Sequence, residues 1–103
     1  MMPRFDVYRN PNPQASHTLY LDVQSDLVTT ATRWCIPLYA AQPGQPVMQR
    51  AQTTLRINRQ PFVLDAPNIL AVPARLLRNP VGHLTEADRA IVDSSIDFML
   101  RGW

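Results

Sequence analysis

Apolar and polar residues alternate in short bursts along most of the chain, and proline or glycine interrupts nearly every burst. Successive side chains of a strand point to opposite faces, so this alternation predicts half-buried strands. Residues 4–8 place Phe5 and Val7 on one face, and Asn10-Pro11-Asn12-Pro13 ends the run because proline removes ladder donors. Residues 18–23 put Leu19, Leu21 and Val23 on one face and Tyr20 and Asp22 on the other. Residues 32–38, with the bulky run Arg33-Trp34-Cys35-Ile36, form a third strand before the loop Gln42-Pro43-Gly44-Gln45-Pro46. Residues 53–58 and 62–65 are spaced as a hairpin around Asn58-Arg59-Gln60-Pro61, where Pro61 fits only at a strand start or edge. Residues 69–72 form one more short extended segment, cut off by Pro73, and residues 75–80 fit neither period.

The period changes at the C-terminal end. Thr85 is placed to cap a helix whose first turn carries Glu86 and Asp88, where acidic groups meet the positive end of the dipole. Leu84, Ala87, Ile91, Val92, Ile96, Phe98 and Met99 then share one broad arc, opposite Glu86, Arg89, Asp93, Asp97 and Arg101. Gly102 stands where a left-handed C-terminal cap belongs. Short strands followed by one terminal helix predict a mainly β fold, a small barrel or pair of twisted sheets with the helix packed against it.

Composition narrows the function classes. With 103 residues, 46% hydrophobic and only 17% charged, the chain is expected to fold as a single domain over 1–103 rather than remain disordered. It has no apolar run near the roughly 18–20 residues that span a bilayer, and no secretory leader, so no membrane association and a cytoplasmic location are expected. The lone Cys35 forms no internal bridge, in keeping with a reducing compartment. Ten basic residues, all arginine, face eight acidic ones, and they are spread from Arg4 to Arg101 rather than gathered in a stripe. That dispersal predicts no direct nucleic-acid recognition.

Candidate chemistry is sparse. No phosphate loop, dinucleotide fingerprint or nucleophile elbow is present, and the two histidines and one cysteine lack metal-ligand spacing. His17 and His83 read as solvent-facing, and Cys35 as a small buried hydrophobe. Asp22 and Asp26 flank Val23-Gln24-Ser25, but Asp22 reads as an outward strand-end residue and Ser25-Asp26 as turn-formers. Asp93 and Asp97 lie one helical turn apart on the polar face. The expectation is therefore no catalytic residue, no metal and no cofactor. The unusual feature is the ending, where Leu100 sits at the margin of the buried arc and Arg101 and Trp103 follow. Leucine, arginine and tryptophan together at a chain end suit a partner-binding hot spot, and equally an anchor in which Trp103 folds back onto the barrel.

These residues resemble the CcdB-type toxins of toxin–antitoxin modules. The resemblance rests on Phe5-Asp6-Val7-Tyr8, on Leu21-Asp22-Val23-Gln24-Ser25-Asp26-Leu27, on Arg33-Trp34-Cys35-Ile36-Pro37-Leu38, on Ala71-Val72-Pro73, on Leu84-Thr85 and on Asp97-Phe98-Met99-Leu100-Arg101-Gly102-Trp103. It runs nearly end to end, and the pieces occur in the family's order and spacing. It implies an SH3-like barrel of short antiparallel strands with a C-terminal helix, shared with the MazF and Kid toxins, and a homodimer. It further implies a poison of DNA gyrase that binds the A-subunit dimer and traps the cleaved-DNA state without performing chemistry, neutralised by a cognate CcdA-like antitoxin. Carried over by position, the gyrase-facing residues are Ser25, Leu27, Val28, Asp97, Leu100, Arg101, Gly102 and Trp103. One departure stands out: in the best-known members a tryptophan precedes the penultimate glycine and an aliphatic residue follows it. Here Arg101 and Trp103 hold those places, so stacking on a target arginine would fall to Trp103.

Two other readings share the fold. A MazF/Kid-like mRNA endoribonuclease needs an acid, a base and phosphate-holding arginines, for which His17, Arg33 and Asp22 are the nominees. An inactive relative retained for antitoxin binding is the other, motivated by the altered ending.

Overall fold

The computed structural model describes residues 3–102. Trp103, expected at the partner-facing end, lies outside them. The strands are β1 (Asp6–Arg9), β2 (Leu19–Asp22), β3 (Thr32–Ala40), β4 (Gln52–Ile57), β5 (Gln60–Asp65), β6 (Leu70–Pro73) and β7 (Gly82–His83), followed by the helix α1 (Glu86–Arg101). All pair antiparallel in the order β4-β5-β3-β2-β1-β7, with β6 also on β3, and the sheet curls into a half-barrel. The mainly β fold with one C-terminal helix is as the sequence predicts.

β3 organises the sheet. One edge pairs with β2 through residues 35–38, while the other edge is shared by β6 (residues 32–35) and β5 (residues 38–40). The Leu38 and Trp34 carbonyls accept from Thr18 and Val23, which turns the alternate residues of β3 away from β2. The nitrogen of Pro37 thus faces the gap between β5 and β6, where no ladder donor is required. Pro61, second in β5, likewise costs no interior donor because it lies at the hairpin end, opposite Arg56.

Alternation separates two cores. Val7, Leu21, Ile36, Leu38 and Leu64 are fully buried on the face that receives the helix, with Leu84 and Val92 closing it. Each such side chain contributes about 1.5–3 kcal/mol on burial, so this face carries most of the stability. The opposite face holds Tyr8, Cys35, Val72 and Leu77, with Tyr20 and Leu76 against them. This second cover corrects one expectation. Asp22 is not an outward, solvated residue: it is 0% exposed, because the chain after Pro73 folds over that face.

The helix starts where the sequence predicts, with the Thr85 hydroxyl accepting from the Asp88 amide at 3.3 Å. It ends at Gly102, whose φ of +80° is the left-handed cap and whose amide donates to the Phe98 carbonyl at 2.8 Å. Its contact is narrower than the predicted arc. Only Val92 and Ser95 are buried, Ala87 is exposed, and Ile91 and Met99 are 40% and 43% exposed. A straight helix on a curled sheet touches along one line, so the flanks of its apolar arc stay open.

Cys35 is the small buried residue expected. Its thiol is 0% exposed and pushed up to about 12, first by burial and then by the nearby Asp22 carboxylate, with Arg33 opposing. A thiol reagent at pH 8 is expected to label Cys35 only as fast as the protein opens, so the labelled fraction should follow the urea unfolding curve. Because the folded value lies above the unfolded one, stability from this group is intact below about pH 9 and lost as pH rises toward 12. Tyr8, also pushed to about 12 chiefly by burial, adds in the same direction.

Candidate functional site

The Asp22-Val23-Gln24-Ser25-Asp26 stretch proves to be a brace. Asp22 accepts from the Gln24 amide at 3.0 Å and from Arg33 Nε at 2.8 Å. Burial raises the Asp22 carboxyl above its ordinary value, and the bonds from Arg33 and the Gln24 amide hold it partly down. The Gln24 side chain donates to the Val28 carbonyl at 2.8 Å and accepts from the Trp34 amide at 3.0 Å. Arg33 adds Nη2 to the Gln24 carbonyl at 3.3 Å, and Ser25 Oγ accepts from the Leu27 amide at 3.2 Å. The polar side chains are thus spent inward on the backbone of residues 22–28. The consequence is at the tip, where Leu27 is 95% exposed and Val28 47%.

One exposed leucine is ordinary, but a contiguous apolar patch is not, and the second expected cluster extends this one. Asp97, Leu100, Arg101 and Gly102 are all exposed at the end of α1, Leu100 by 74%. Between loop and helix runs a shallow apolar groove of about 140 Å³ lined by Arg4, Val23, Trp34, Ala66, Ile69, Ile96, Met99 and Leu100. A second concavity continues from Val23 and Trp34 to Ser25, Val28, Thr30 and Thr32. Trp34 and Val23 belong to both, so the loop and the helix end border one continuous face.

Sequence reasoning missed the floor of this face. Trp34 points to the same side of β3 as Ile36 and Leu38, but the end of the helix covers it only in part, across the groove, and it stays 58% exposed. Met99 was expected in the core and instead lines the groove. Alternation along β3 is the signal that places Trp34 on the helix side, but where the helix ends over it is a tertiary matter.

The residues nominated for hydrolytic chemistry are not assembled as an open site. Asp22 and Arg33 are buried against each other, and His17 is half-buried with Nε2 3.2 Å from the Tyr20 hydroxyl rather than solvent-facing. His83 is exposed as expected, with Nδ1 3.5 Å from Asp6. Among the described residues no group of three or more His, Cys, Asp or Glu could hold a metal ion. A larger concavity, about 570 Å³, opens at the other end of β2 between Arg9, residues 10–13 and the Asn58 turn, and includes none of the predicted site residues. No helix among the described residues is long and apolar enough to cross a membrane.

Comparison with known proteins supports the fold and gives the family. The family described as CcdB protein matches residues 4–102. No curated protein sequence matches the chain. Among solved structures, an endoribonuclease in complex with its cognate antitoxin from a mycobacterial species superposes with a TM-score of 0.79 at 17% identity, covering 97% of this chain and 95% of that one. The Mycobacterium tuberculosis toxin MazF-mt6 superposes with a TM-score of 0.70 at 15% identity, covering 92% and 95%. At such identities the likeness is one of fold.

Proposed function

The chain belongs to the CcdB protein family and is a type II toxin of that family, and from this premise we propose that it poisons DNA gyrase. The observation that carries the reading is the face on which Val28 and Leu100 line concavities that meet at Val23 and Trp34, with Leu27 and Arg101 exposed next to them in the chain. Apolar residues stand out from a rigid polar frame there, as binding hot spots do, and no reacting group accompanies them. A homodimer would present two copies of the face to the two-fold A-subunit dimer. Binding only the open, cleaved state shifts the population toward it by the differential affinity, with no bond made or broken by the toxin. A cognate antitoxin would neutralise it.

One observation favours a second reading, the likeness to an endoribonuclease. It is a likeness of fold, and the Arg33 that would hold a phosphate is already donating to Asp22 and to the Gln24 carbonyl.

Purified protein added to gyrase and supercoiled plasmid is expected to give linear DNA with gyrase bound to its ends, while RNA in a parallel reaction stays intact. Specific RNA cleavage with unbroken plasmid would establish the ribonuclease reading instead. Neither product would leave an inactive relative kept for antitoxin binding.

A further inference from the structure

We propose that Arg4 is a positioning residue that holds the two halves of this face in register, an inference that rests on the face being the partner-binding surface. Residues 3–6 form a turn in which the Asp6 amide reaches the Pro3 carbonyl at 3.4 Å and Phe5 adopts a φ of +75°. That left-handed conformation is unfavourable for a phenylalanine, and the buried ring holds it in place. The turn sends Phe5 into the core and leaves the Arg4 side chain on the groove.

Arg4 then touches both borders. Its backbone amide donates to Asp26 Oδ1 at 2.7 Å and its Nε to the Val23 carbonyl at 2.7 Å, so it grips the loop at both shoulders. Its Nη2 donates to Asp93 Oδ1 at 2.8 Å, 89 residues away on the helix. The guanidinium carbon lies 4.2 Å from the Phe5 ring centroid, which fixes the plane of the fork. Arg89 lies over the same ring at 5.5 Å.

The helix needs such a tether. Asp93 precedes Asp97 by one turn and Leu100 by two, so these residues share a stripe, and holding Asp93 fixes the direction of Leu100. Apolar burial anchors the helix at Val92 and, in part, at Ile96, with Ser95 buried beside them, while Arg50 stacks on Phe98 at 4.5 Å from the segment before β4. Arg4 is the residue whose hydrogen bonds reach both the loop and the helix. A lysine could not replace it, because one ammonium lacks the planar fork that reaches a carbonyl and a carboxylate in two directions.

The ion pair is partly open to water, with side chains 30% and 52% exposed, so its removal should hardly alter stability. Position should change instead. In the isolated protein, Asp93→Ala, which removes the acceptor, is expected to shift the amide NMR signals of Ser25, Asp26 and Leu27, although none of them is on the helix. Arg4→Ala should weaken gyrase poisoning about tenfold, and Asp93→Ala, which removes the exposed ion pair alone, should move the unfolding constant by less than about fivefold. Arg4→Lys should stay nearer to the alanine variant than to the native protein. Unmoved loop signals in Asp93→Ala, or full rescue by lysine, would overturn the proposal. The NMR measurement needs no gyrase, so it decides the tether even if the native protein proves not to poison gyrase.

Discussion

Replacing Arg33 by leucine is expected to destabilise the protein by about 3–5 kcal/mol at pH 7, the usual loss when one partner of a buried ion pair is removed. The guanidinium sits with its side chain 6% exposed, against an Asp22 side chain that is 0% exposed, at 2.8 Å. Burial already raises the Asp22 carboxyl, and Arg33 is among the influences holding it down. Without Arg33 that carboxyl rises further and folds most readily in its protonated form. The sign follows: a group whose folded value lies above its unfolded one contributes fully below the unfolded value and loses that contribution as pH rises. The variant should therefore be nearest the native protein around pH 4 and fall away from it toward neutrality, measured by urea unfolding across that range. Adding Asp22→Asn to Arg33→Leu should recover much of the loss at pH 7, because a neutral amide replaces a stranded charge. A pH-independent deficit would show that Arg33 acts by packing alone. The damage should also reach the loop, since Arg33 donates to the Gln24 and Val28 carbonyls.

The same pair shows where sequence reasoning stops. Period-2 alternation placed Leu19, Leu21 and Val23 on one face correctly, because one face of this sheet carries the main core. It also placed Asp22 on the other face correctly. What it lacked was the knowledge that residues after Pro73 cover that second face, so a buried aspartate was read as a solvated one. Polarity alone cannot reveal this, since Asp22 has its partner eleven residues away on the next strand. Capping was fully legible at Thr85 and Gly102, because caps are local chemistry. The helix arc was legible in period but not in width. Ile91 and Met99 have the same pattern as Val92 and differ only in how far the sheet curls away beneath them.

For the face itself, the residues at its borders were legible and its interior was not. Ser25, Leu27, Val28, Asp97, Leu100, Arg101 and Gly102 stand exposed along two neighbouring segments, while Trp103 lies outside the described residues. The groove between them depends on Trp34, Val23 and Arg4, which only the tertiary fold brings beside the end of the helix. Long-range contacts of this kind carry no periodic signature. The Arg4–Asp93 bond joins the two ends of the chain, and neither residue announces the other.

Leu27→Gln and Leu100→Gln are each expected to weaken gyrase poisoning by roughly 30-fold or more, the range of a central hot spot, and together to abolish it. Leu27 is 95% exposed and Leu100 74% exposed, so neither is needed for the core. Glutamine keeps length and helix-forming tendency at position 100, and unfolding free energies should stay within about 0.5 kcal/mol of the native value. Loss of poisoning without loss of stability would then locate the effect at the bound surface. Arg59→Gln in the turn between β4 and β5, close to the separate 570 Å³ concavity that Asn58 and Gln60 help to line, provides the control and should poison normally. Leu100 lines the groove and Leu27 stands beside Val28, which lines the adjoining concavity, so one partner covering both would make their effects coupled rather than additive, a departure the double variant measures. If both single variants poisoned gyrase like the native protein, the contact would have to lie elsewhere on the molecule. If only Leu100→Gln failed, the helix end alone would carry binding, and the braced loop would serve to set the floor beneath it.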